Sequence, residues 1–191
     1  MRSVFPESVT VPEFTPLQNS LAPGNAADEN QIKANEQLFE AIKRKDVVML
    51  KAALSDANTV NSWGASALYQ ACGWSHSEPI VRALLEHGAN PDGTDEEYVP
   101  LCIVAEYAVP ECVELLLSYG ADVNRCLSPH VPTPLQCAVE ADNCSLGSVE
   151  ENDDERYVRT IELLLSAGAD INRQNMSGDT ILHSEAMACN L

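Results

Sequence analysis

From residue 34 onward the chain repeats itself, and nothing else in the sequence constrains its fold as strongly. Three segments align on a leucine. Ser66-Ala67-Leu68-Tyr69-Gln70-Ala71-Cys72 is followed by Leu-Leu-Glu-His-Gly-Ala-Asn at 84–90. Val99-Pro100-Leu101-Cys102-Ile103-Val104-Ala105 is followed by Leu-Leu-Ser-Tyr-Gly-Ala-Asp-Val-Asn at 116–124. Thr133-Pro134-Leu135-Gln136-Cys137-Ala138-Val139 is followed by Leu-Leu-Ser-Ala-Gly-Ala-Asp-Ile-Asn at 164–172. Leu68 and Leu101 are 33 residues apart, Leu101 and Leu135 are 34. A period of this length accommodates one helical hairpin and its connection, so the chain reads as a stack of small units that share a continuous core.

Each unit carries helical periodicity. Leu68, Ala71 and Cys72 fall on one helical face, as do Leu101, Val104 and Ala105, and Leu135, Ala138 and Val139. Pro100 and Pro134 stand at the first turn of the short helix, where the missing N–H removes no hydrogen bond. Gly88, Gly120 and Gly168 fall just past the second helix, where a left-handed cap is expected.

The period and the Thr-Pro-Leu and Leu-Leu-x-x-Gly-Ala-Asp-x-Asn patterns resemble the ankyrin-repeat family. The resemblance implies an all-α solenoid of helix-turn-helix units with β-turn fingers. Its reading of the chain is about 4.5 repeats: a disordered leader over 1–33, a polar cap at 34–61, units at 62–92, 93–124 and 125–172, and a partial unit at 173–191. Four prolines interrupt residues 1–30, and Leu38, Ala41, Ile42, Val48, Leu50, Ala53 and Leu54 are the apolar residues of the cap. Leu135 and Gly168 are 33 residues apart where the other units need 19 or 20, so the fourth unit holds an insertion near 142–155. That segment has six acids and no base and reads as a solvated loop. A monomer is expected; the apolar face that the partial unit leaves without a neighbour makes association through the open C-terminal end the alternative.

Charge narrows the partners. Eleven Lys and Arg stand against 29 Asp and Glu, a net of −18, with −7 in residues 93–141 and −7 in 142–191. Nucleic acid and anionic lipid need clustered bases and are excluded on this ground, whereas a basic protein partner is favoured. The seven cysteines are odd in number, irregularly spaced and free of any Cys-x-x-Cys pair, which argues against a disulfide framework and a zinc site. No signal peptide or membrane-length apolar run occurs, and a cytoplasmic location, or a nuclear one, is expected.

No catalytic constellation emerges. The four histidines, His76, His87, His130 and His183, have no metal-ligand spacing with Cys, Asp or Glu. The resemblance gives His183 a hydrogen-bonding role at a helix start, and position alone puts His87 in the last turn of a helix, where positive charge is favoured. No Gly-rich phosphate loop is present. The acidic segment lacks the alternation of a calcium loop. The chain is therefore read as a non-enzyme with no cofactor and no metal.

The resemblance implies a binding surface on the concave side, formed by the fingers and the short helices. Its groove-facing slots hold Gln70 and Trp74, then Ile103, Glu106 and Tyr107, then Glu140. Aromatic side chains beside charges have the composition of a protein-binding hot spot. On the fingers, Trp63 and Glu96 complete the candidate set. Packing of Trp74 over Cys72 or His76, and simple solvation of the acidic third finger, are the competing readings. A second functional expectation is the substrate-recognition part of a larger adaptor or enzyme, such as a ubiquitin-ligase receptor, whose effector domain lies beyond Leu191. Asn124 and Asn172 read as turn-stabilising asparagines, with asparaginyl hydroxylation as the alternative the resemblance adds.

Overall fold

The computed structural model describes residues 26–74, 77–94, 98–126, 131–145, 153–174, 178 and 180–183. Its named helices run in antiparallel pairs: α1 (Ala26–Arg44) with α2 (Val47–Ala53), α3 (Ala67–Cys72) with α4 (Glu78–Glu86), α5 (Pro100–Glu106) with α6 (Pro110–Ser118), and α7 (Pro134–Ser145) with α8 (Asp153–Ser166). The first members stack in the order α1, α3, α5, α7, and the second members in the order α2, α4, α6, α8. Two helical layers result, with the core between them. This is the all-α solenoid that the repeat period implies.

The periodic residues build that core. Leu38, Ile42, Leu50, Leu68, Leu84, Leu101, Leu116 and Leu164 are each at most 1% exposed, so the aligned leucines are interior in the first four units, whereas Leu182, the aligned leucine of the partial unit, is 60% exposed. Small residues at Ala71, Ala105 and Ala138 are fully buried and let neighbouring units approach closely. Val48 differs from expectation. It is 81% exposed, because α2 turns Leu50 and Ala53 inward and a residue two positions before Leu50 faces away.

Local chemistry sets the helix ends. Asp46 Oδ1 accepts the N–H groups of Val48 and Met49 at 2.9 and 3.0 Å and starts α2. Pro100, Pro110 and Pro134 are the first residues of α5, α6 and α7. At the far ends of α4, α6 and α8, Gly88, Gly120 and Gly168 take φ of 86°, 88° and 93°. In α4, for example, Gly88 N–H bonds Leu85 O and Ala89 N–H bonds Leu84 O, both at 3.0 Å, which closes the last turn on itself.

The junctions between units are tied by one column of side chains. Asn58 Nδ2 donates to Gly88 O at 3.1 Å while its Oδ1 accepts Asn90 N–H at 2.7 Å. Asn124 repeats both bonds two junctions later, to Gly168 O at 3.0 Å and from Asp170 N–H at 2.7 Å. Asp92, between them, accepts Asp122 N–H at 2.8 Å. Asn124 thus has the structural role expected of it, extended from its own turn to the next unit.

Two boundaries need correction. Helix α1 begins at Ala26, so residues 26–33 belong to the first helix and not to a leader. Ala, Glu, Gln and Lys dominate that stretch, and helix propensity carries it where a hydrophobic pattern is thin. The acidic insertion is likewise helical at both ends: α7 continues to Ser145 and α8 starts at Asp153, each longer than the corresponding helices of the second and third units. Residues 1–25, the centre of the insertion at 146–152, and the face at Ala186, Met187 and Leu191 lie outside the described residues. In the partial unit, Ile181 is 7% exposed and joins the core.

Candidate interaction surface

The second finger, at residues 59–66, shows how sequence shapes the surface. Asn61 Oδ1 accepts Trp63 N–H at 2.9 Å and Ala65 N–H at 3.1 Å, while Asn61 N–H bonds Ala65 O at 2.9 Å. Gly64 completes the turn with φ of 85°. This loop holds Trp63 out at its tip, 70% exposed. Asn61 Nδ2 also reaches Gln70 Oε1 at 3.3 Å and fixes that side chain against the finger.

Between this finger and α1 lies a cleft of about 990 Å³. Ile32, Phe39, Val60 and Trp63 form its apolar part, and Glu36, Glu40, Lys43 and Gln70 its polar part. Trp63 and Gln70, two of the expected site residues, therefore meet in one cleft. Sequence reasoning missed Ile32 and Phe39 there. The signal is their seven-residue spacing on one helical face, which a leader boundary at residue 33 hides by separating Ile32 from Phe39.

The remaining described candidates lie on or just after α3, α5 and α7. Trp74 follows α3 and is 43% exposed; Tyr107 caps α5 and is 55% exposed. Ile103 is half-buried, and its Cδ1 lies 3.4 Å from the position a Cβ on Gly73 would take, so it reaches across to the preceding unit. Glu106 and Glu140 are exposed on α5 and α7. The Glu106 carbonyl accepts the Tyr157 hydroxyl at 3.1 Å, which ties α8 to the end of α5. Glu96 lies outside the described residues.

A tyrosine pair that the sequence reading did not single out supports this region. Tyr69 and Tyr98 meet edge to face, ring centres 5.1 Å apart at 64°. Burial holds the Tyr69 phenol above its ordinary value, and the Glu106 carboxylate, Tyr98 and Tyr107 add to the effect. Tyr69 occupies the slot that in the last unit holds His183, so its aromatic role became visible only once Tyr98 was placed beside it.

The two described histidines and the start of α7 have structural partners. His183 Nδ1 meets the Thr180 hydroxyl at 2.8 Å, and His87 Nδ1 meets Ala83 O at 2.7 Å, as helix-end roles require. Gln136 and Thr133 bond reciprocally at the start of α7. Cys72 and Cys112 are buried. Among the described residues, no group of three or more His, Cys, Asp or Glu side chains has the arrangement of a metal site, and no helix is long and apolar enough to cross a membrane.

Comparison with protein families agrees with this architecture. A model described as ankyrin repeats in three copies matches residues 26–126, and a model of a single ankyrin repeat matches 133–176. The first match starts where α1 starts. A search of curated proteins returned no match. The two family matches cover most of the stacked units, and the chain belongs to the ankyrin-repeat family.

Proposed function

We propose that the chain is a non-catalytic interaction module that binds a basic protein segment along its concave face. Ankyrin repeats are general protein–protein interaction modules. The observation that carries the finer reading is the exposure of Trp74 and Tyr107 at the carboxyl ends of two adjacent inner helices, beside the Glu106 carboxylate. Large aromatic side chains half out in water at such a site give up apolar surface when a partner covers them. Glu106 and Glu140 supply charge of the sign that attracts a basic ligand, and the net charge of −18 extends that attraction into solution. Trp63 and Gln70 prolong the same surface toward the second finger.

The test is capture of partners by the full chain beside a Trp74→Ala/Glu106→Lys/Tyr107→Ala variant whose fold is verified by circular dichroism. The expected result is a basic protein held by the parent, released as salt is raised, and lost from the variant. Equal capture by both chains refutes the placement of the site. A captured partner that is acidic, or whose binding is insensitive to salt, refutes the electrostatic part.

A further inference from the structure

Three exposed apolar side chains surround the cleft between α1 and the second finger. Ile32 is 55% exposed, Trp63 and Val60 are exposed on the finger, and Phe39, packed against the core, lines the same space. Its charged lining is Glu36, Glu40 and Lys43. Glu40 pairs with Arg44 at 2.8 Å, whereas Lys43 has no ion pair among the described residues. Solvated apolar surface that converges on one cleft, beside one uncompensated cation, fits an extended segment with apolar side chains and an acid.

The chain carries such a segment next to the cleft. Residues 12–21 read Pro-Glu-Phe-Thr-Pro-Leu-Gln-Asn-Ser-Leu and lie outside the described residues, ahead of Ala26, where α1 starts. Pro12 and Pro16 oppose a helix there and favour an extended backbone. Pro23-Gly24 is the pair that a type II turn takes at its centre, which would reverse the chain immediately before α1. The lengths agree. Along the axis of α1, Ile32, Phe39 and Lys43 stand about 9, 20 and 26 Å from Ala26. Counted back from Asn25, an extended chain carries Leu21, Leu17 and Glu13 up to about 13, 26 and 40 Å. Each side chain reaches its counterpart with length to spare for the turn.

We propose that residues 12–21 fold back antiparallel to α1 and occupy this cleft, with Leu21 at Ile32, Leu17 and Phe14 at Phe39 and Trp63, and Glu13 at Lys43. Burial of Ile32 and Trp63 drives the contact. The short tether of Ala22 to Asn25 keeps the segment at an effective concentration of the order of millimolar, so a contact too weak to hold a free peptide is sufficient. The Glu13 carboxylate fixes the direction by meeting Lys43. The contact does not depend on the binding of a partner. It covers the finger end of the interaction surface, and a partner that reaches Trp63 must displace it.

The experiment follows the indole N–H signals of Trp63 and Trp74 in the nitrogen-15-labelled full chain, assigned with Trp63→Phe. The parent is compared with Phe14→Ala/Leu17→Ala, and circular dichroism verifies the fold of each variant. The Trp63 signal is expected to shift between the two while that of Trp74 stays in place. A synthetic peptide of residues 10–23, added to the variant, should move the Trp63 signal back toward its position in the parent. Glu13→Lys and Lys43→Glu should each shift the Trp63 signal in the direction of release, and the double exchange should restore it. An unchanged Trp63 signal in Phe14→Ala/Leu17→Ala overturns the proposal, as does a shift at Trp74 alone. A Trp63 position that depends on protein concentration also overturns it, because the segment of a second copy would then fill the cleft.

Discussion

Asn124→Asp and Asp92→Asn are the same chemical change made in opposite directions at equivalent junctions, and their effects should have opposite signs. At Asn124 the amide nitrogen donates to Gly168 O at 3.0 Å and the amide oxygen accepts Asp170 N–H at 2.7 Å. Asn124→Asp keeps the second bond and replaces the first by a carboxylate oxygen facing a carbonyl oxygen. The lost bond is worth about 0.5–1.5 kcal/mol and the repulsion adds to it, so a cost of about 1–2 kcal/mol is expected. Asp92 accepts Asp122 N–H at 2.8 Å but has no N–H to offer the Gly120 carbonyl. Asp92→Asn supplies that donor and removes one negative charge from a chain of net −18, at the loss of charge assistance in the bond it already makes. The expected balance is a gain of about 0.5–1 kcal/mol. For an array of this size, 1 kcal/mol moves the midpoint of thermal unfolding by about 2–4 °C. Melts followed by circular dichroism at low and high salt separate the hydrogen-bond part, which persists, from the charge part, which is screened. Shifts of the same sign in both variants, or no shift in Asn124→Asp, would refute the junction ladder as a source of stability.

Other perturbations test the packing and the titrating groups. Leu84→Ala, at a fully buried site in α4, should cost about 2–5 kcal/mol in urea unfolding, whereas Leu165→Ala on the 43% exposed side of α8 should cost under about 1 kcal/mol. Gly93 has φ of 79°, and a Cβ there would stand 2.8 Å from Tyr98 O and 3.1 Å from Pro100 Cδ. Gly93→Ala should therefore cost about 2–3 kcal/mol by the same assay, more than Gly88→Ala, where only the positive φ opposes the change at about 1 kcal/mol. Burial pushes the Cys112 thiol from 9.0 up to about 11, partly offset by a hydrogen bond from Ser77, and burial also holds Cys72 well above its ordinary value. A folded value above the unfolded one means stability that is intact below pH 9 and lost as pH rises through 11. The melting midpoint should fall across that window, and fall less in Cys112→Ala.

The core was legible because the same packing constraint recurs each time the chain passes through a unit. Leu68, Leu101 and Leu135 sit in equivalent interior positions, and Gly88, Gly120 and Gly168 stand at the helix ends where φ is positive. Where structure depends on propensity alone, the reading fell short. Ala26 to Lys33 offers few large apolar side chains, so its helix left no hydrophobic pattern to find. Asp153, Asp154 and Glu155 looked like part of a solvated run, yet acids in a first helical turn favour the helix dipole, and α8 starts there.

The surface divides in the same way. Trp63, Gln70, Trp74, Ile103, Glu106, Tyr107 and Glu140 could be placed on short helices and a finger from the period. The cleft that joins Trp63 and Gln70 to Phe39 and Ile32 could not, because it arises from the way α1 packs beside the finger.

The most direct test of the interaction account is hydrogen–deuterium exchange of the full chain with and without a partner captured by it. The account predicts slowed exchange at the carboxyl ends of α3 and α5, around Trp74 and Tyr107, and at the finger bearing Trp63, with the outer helices α4 and α6 unchanged. Protection confined to α4, α6 and α8, with none around Trp74 and Tyr107, would contradict it.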